Sequence, residues 1–155
     1  MDRRRLILTA MFLPLAVSGA LGPGVARAKQ AMVYTGKPPG VGASGYDVVA
    51  YFTAGKATKG LPAHVAVHDG ITYRFASAAN RGTFLRSPAR YLPQYGGYCA
   101  YAVSQGATAS SDPNAWTVVG DKLYLNYSKS VRSLWRQDVE GNIAKAERNW
   151  PGVLK

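Results

Sequence analysis

Asp69-Gly70 stands between two short apolar runs, residues 65–67 and 71–75, and no other feature constrains the fold as strongly. A tight hairpin turn needs positive φ at its central positions, which Asp-Gly adopts at low cost, so the pair predicts a β-hairpin. Ser77 follows the second strand directly. A serine hydroxyl accepts from the free N–H groups of a first helical turn, so residues 78–86 are expected to be helical until Pro88 stops them. The same grammar returns later. Residues 116–119 and 123–127 flank Gly120-Asp121-Lys122, and Ser128 opens a helix whose apolar positions Val131, Leu134 and Trp135 fall at i, i+3 and i+4. Gly141 is expected to break that helix, with a last helix over residues 142–150 ending before Pro151. Residues 47–52 form an apolar run of ambiguous type, residues 91–95 read as a turn, and residues 99–104 as a short helix. The fold class is therefore α+β: a single compact domain, with a small antiparallel sheet built from two β-hairpins with packed helices. No internal sequence repeat is strong enough to read as a duplication.

Residues 1–28 read as an address. Arg3, Arg4 and Arg5 precede a short apolar run interrupted by Pro14 and Gly19, and Ala26-Arg27-Ala28 places small residues where a signal peptidase reads. The run is short for a membrane span. Two arginines, a spacer and two apolar residues also fit a twin-arginine signal, and the ordinary and twin-arginine routes both stay open. Residues 29–44 are rich in glycine and proline and read as an irregular entry arm, and residues 45–155 as the domain proper. The expected location is the periplasm or the exterior, after cleavage near Ala28.

Beyond residue 28 the chain carries 15 basic and 7 acidic residues. The basic residues are scattered, with no stripe of the kind a nucleic-acid face needs, so nucleic acid is not an expected partner. A small ligand, a metal ion or an envelope partner all fit, and oligomeric state is open. Cys99 is the lone cysteine, so no internal disulfide staples the fold.

The stretch from His68 to Ala102 resembles the YHS domain family. Tyr73, Phe75 and Ser77 match its strand-into-helix core, Phe84 its helix, and Pro88 and Tyr91 its trailing Pro-x-x-Tyr. The likeness extends to exported bacterial YHS-domain proteins through GYDVVAYF at residues 45–52 and QYGGYCAYA at residues 94–102. The family has no single chemistry, and the resemblance implies metal handling only as in some short members, through cysteines flanking the strand-to-helix turn. Ala76 and Asn80 stand at those positions here.

Ligand candidates are few. His64 and His68 are spaced as on a zinc-binding helix, but Pro62 and the turn at Asp69-Gly70 make them strand residues. On a strand they lie about 13 Å apart, too far for one ion. Tyr98, Cys99 and Tyr101, with the flexible pair Gly96 and Gly97, suggest a pocket able to hold a soft metal ion such as Cu(I), or a small organic ligand. The other reading of the same residues is a packed core turn in which Cys99 is a small hydrophobe. No paired carboxylates, nucleophile elbow or phosphate-cradling loop is present. A Cys-dependent enzyme would need the fold to bring Cys99 to His64 or His68. Three readings follow: a binding or sensing module, a structural or partner-binding domain, and a small Cys-dependent enzyme.

Overall fold

The computed structural model describes residues 28–155, so the leader reading lies outside the described residues. Helices α1 (Ala50–Thr53), α2 (Ala78–Arg86), α3 (Pro88–Tyr91), α4 (Ala100–Ser104), α5 (Lys129–Trp135) and α6 (Val139–Asn149) surround two hairpins. Strands β1 (Leu61–His68) and β2 (Ile71–Phe75) form one antiparallel pair, and β3 (Asp112–Val119) and β4 (Lys122–Asn126) form another. The α+β class holds. The hairpins remain separate two-stranded sheets, each covered by its own helices. Among the described residues no helix is long and apolar enough to cross a membrane.

The two halves of the chain repeat one design. Each hairpin pairs an eight-residue strand with a five-residue strand, and each has an irregularity near the start, between Leu61 and Val65 and between Asp112 and Trp116. Both turns hold two residues at positive φ, Asp69-Gly70 and Gly120-Asp121, as a type I′ turn requires. Ser77 Oγ accepts from Asn80 N–H at 3.1 Å, and Ser128 Oγ from Val131 N–H at 3.2 Å. Ahead of each hairpin lies a left-handed turn, Ala43-Ser44-Gly45 and Tyr95-Gly96-Gly97. A parallel bridge ties a residue just ahead of each turn to the second strand of its hairpin, Val41 to Thr72 and Pro93 to Leu123. Asp47 thus corresponds to Cys99, Tyr73 to Tyr124, Phe75 to Asn126, Ser77 to Ser128 and Phe84 to Trp135. This is a structural duplication, which the sequence reading did not detect.

Each half has its own core. Val48, Val49, Tyr73, Phe75 and Phe84 fill the first, with Phe84 5.0 Å from Phe75 and 5.3 Å from Tyr73 between ring centres. Tyr124, Trp135, Ala100 and Val103 fill the second, against α6. Tyr51 joins the halves. Its ring packs with Leu123 and Leu125, and its hydroxyl donates to the Pro113 carbonyl at 2.8 Å.

Gly141 does not end a helix, contrary to the sequence reading. It lies in the first turn of α6, and its N–H donates to Asp138 Oδ1 at 3.0 Å. A Cβ there would meet Asp138 Oδ2 at 2.1 Å, so glycine makes room for the capping carboxylate that starts the helix. Near the end of the entry arm read at residues 29–44, Gly42 and Ala43 are buried, and Ala43 belongs to the repeated turn.

Candidate functional site

Two equivalent positions, Asp47 and Cys99, hold the turns that begin each half. Asp47 is fully buried. Its Oδ1 accepts from the N–H groups of Val49 and Ala50 at 2.9 and 3.2 Å. Its Oδ2 accepts from Ala76 N–H at 2.8 Å and Asn80 Nδ2 at 2.7 Å. A buried carboxylate is tolerated when donors surround it, and here four converge. The residues at the resemblance's metal positions, Ala76 and Asn80, therefore bind a carboxylate of the chain itself.

Cys99 is 1% exposed. Its sulfur accepts from Ala102 N–H at 3.5 Å and lies 3.6 Å from Asn126 Oδ1, so it caps α4, whereas Asp47 accepts from N–H groups at the start of α1. Asn126 Oδ1 also takes the Tyr101 N–H at 3.1 Å. Of the two readings of this segment, the geometry fits the packed turn. A native sample is expected to leave Cys99 unreacted with a bulky disulfide reagent, followed by absorbance, until denaturant opens the core. Cys99→Ser is expected to cost about 1–3 kcal/mol in a denaturant melt.

His64 and His68 lie on β1, as Pro62 and the Asp69-Gly70 turn predicted. The His68 ring meets Phe84 edge-on at 6.1 Å, and its Nε2 sits 3.4 Å from Asp69 Oδ2. Cys99 belongs to the other half. Among the described residues no three His, Cys, Asp or Glu side chains come together as a metal site.

An open space lies on the other side of the Tyr/Gly segment. The entry arm crosses the Gly96-Gly97 turn: Tyr34 N–H donates to the Gly96 carbonyl at 2.9 Å, and Tyr98 Oη to the Ala31 carbonyl at 2.8 Å. A Cβ on Gly96 would meet the Met32 carbonyl oxygen at 1.9 Å, so only glycine admits the arm this closely. Farther on, Gly36 packs against Ser44 of the other repeated turn. The arm thus crosses both turns.

Beneath it is a cleft of about 590 Å³, within the range of small-molecule sites. Ala31, Met32 and Val33 of the arm form one wall. Ala43, Ile71 and Tyr73 come from the first half, Leu92, Pro93, Gly96 and Gly97 from the segment leading into the second. Trp150 also lines it, and Asp69 is the one carboxylate in the lining. Burial, aided by the Asp69 charge, pushes the Tyr73 phenol up to about 12, so it stays protonated at neutral pH. Burial, then the neighbouring Tyr34, also raises the Tyr98 phenol.

Of the expected pocket residues, Gly96 and Gly97 line this cleft, whereas Tyr98 supports the arm and Cys99 is enclosed in the core. The sequence reading missed Met32, Val33, Leu92, Pro93 and Trp150. The paired glycines were the one signal that pointed near them. Comparison with protein families, curated proteins and solved structures gave no match.

Proposed function

We propose that this chain is an exported binding module of the YHS type, and that it takes a small, largely apolar ligand in the cleft under the entry arm. The observation that carries the reading is the cleft itself, built jointly by the arm, both halves and the C-terminal Trp150. The YHS resemblance is supported by the position of its residues: Tyr73, Phe75 and Phe84 pack on one another, and Ser77 caps α2. Export rests on the leader pattern, and intact mass of periplasmic material should show a chain beginning at Lys29. Soft-metal handling at Cys99 draws no support from a sulfur enclosed between Ala102 and Asn126.

The test uses the fluorescent probe 1-N-phenylnaphthylamine, whose emission rises in apolar surroundings. Saturable enhancement is expected with the purified protein. Met32 is about half exposed, so Met32→Asp should leave the melt almost unmoved while weakening the probe about tenfold. Absence of saturable binding would favour the structural or partner-binding reading.

A further inference from the structure

The cleft has an unequal distribution of polar groups, and this bears on what it holds. We infer that its ligand class is a cationic amphiphile, an apolar body with an ammonium group seated at Asp69; this rests on the binding reading above. Asp69 is the only carboxylate in the lining, which holds no lysine, arginine or histidine, and its side chain is 87% exposed. The Tyr73 hydroxyl, on β2, also faces this lining, and its phenol is raised by burial and then by the Asp69 charge. The remaining side chains that line the space, including Met32, Ile71, Leu92 and Trp150, are apolar.

That arrangement matches a molecule with one polar end. An ammonium at the rim keeps most of its hydration and gains a carboxylate, while the chain enters the apolar space. A ligand carboxylate placed there meets Asp69 as a like charge and finds no lysine or arginine in the lining. The excess of basic residues over the domain pulls the other way at long range, favouring anions. Selection for a cation therefore has to come from the cleft. A carboxylate has two accepting oxygens, and the contact of Oδ2 with His68 Nε2 at 3.4 Å occupies one side of Asp69.

Three ligands of equal chain length separate charge from apolar burial: decylammonium, decanol and decanoate. Each is tested below its aggregation concentration for displacement of bound 1-N-phenylnaphthylamine. The buffer is held at about pH 8, where alkylammonium is charged. Decylammonium is expected to compete about fivefold better than decanol at low salt, with decanoate weakest. Its advantage should shrink toward 0.5 M salt, where the screening length is only a few ångströms. In Asp69→Asn the ratio of the two affinities, taken within the variant, should fall to about one; asparagine tolerates the positive φ of this turn. Asp69→Gly removes the charge with no backbone strain and should give the same ratio. Equal competition by all three ligands, or an ammonium preference that survives both variants, would overturn the inference while leaving the apolar cleft standing. Failure of the fluorescent probe to bind at all would remove the binding reading itself.

Discussion

Asp47→Ala should be among the most damaging single substitutions in this chain, with a loss of about 3–5 kcal/mol in a denaturant melt. The side chain is fully buried and accepts from four donors contributed by three segments: the start of α1, the end of β2 and the start of α2. Truncation leaves the N–H groups of Val49 and Ala76 and the Asn80 amide facing a void. An orphaned buried donor forfeits its desolvation cost, about 1–3 kcal/mol each, although partial relaxation keeps the sum below simple addition. Asp47→Asn tests the cause. It keeps one accepting oxygen for the α1 turn, but its NH₂ then opposes the Asn80 NH₂, donor against donor. Adding Asn80→Asp should recover part of the loss by restoring a donor–acceptor pair. If Asp47→Asn melts like the parent, the four-donor account is wrong.

The duplicated partner of this site should respond more mildly. Cys99 makes only sulfur contacts, at 3.5 and 3.6 Å, and a thiol is a weak donor and acceptor. The two halves have thus kept a geometry while exchanging its chemistry. One turn is held by a carboxylate with charge-assisted hydrogen bonds. The other is held by a buried thiol and Asn126. The same exchange runs through the cores, where Phe75 and Phe84 of the first half become Asn126 and Trp135 in the second. Asn126 Nδ2 and Trp135 Nε1 are both buried without a partner among the described residues. The second core is therefore the less completely satisfied of the two, and unfolding should begin there.

Local chemistry was legible in the sequence, and long-range equivalence was not. The Asp69-Gly70 turn and the serine caps at 77 and 128 were readable because each depends on two or three neighbouring residues. The span of α2 was readable for the same reason, between Ser77 and Pro88. Duplication was hidden because the paired positions differ in polarity: Asp47 against Cys99, Phe75 against Asn126, Arg74 against Leu125. What repeats is backbone conformation, such as positive φ at Ala43 and Tyr95, which ordinary side chains do not announce. Gly141 misled for a related reason. A glycine can end a helix or admit a capping side chain at its start, and only the position of Asp138 distinguishes the two. The cleft was half legible. Gly96 and Gly97 signalled close approach, but the approaching group is the backbone of an arm some sixty residues earlier in the chain, and no local pattern names it.

Gly96→Ala should combine a loss of stability with a loss of ligand binding, because this glycine is where the arm meets the domain. Its φ of +61 alone makes any Cβ unfavourable by about 1–2 kcal/mol. The added methyl would also sit 1.9 Å from the Met32 carbonyl oxygen and 3.0 Å from its carbon, atoms of a backbone that cannot rotate away. The arm must lift. With it go the Tyr34–Gly96 hydrogen bond, the Tyr98–Ala31 hydrogen bond and one wall of the cleft. A total loss of about 2–4 kcal/mol is expected, with 1-N-phenylnaphthylamine weakened at least about tenfold. Chymotrypsin should also cut the arm sooner, after Tyr34. Gly106→Ala is the control for backbone strain: its φ is +81, and nothing lies within 4 Å of the added Cβ. It should lose about 1–2 kcal/mol, keep the arm protected and bind the probe as the parent does. If the two variants match in protease sensitivity and probe affinity, the arm forms no wall of a binding site. The cleft would then be a surface groove with no part in function.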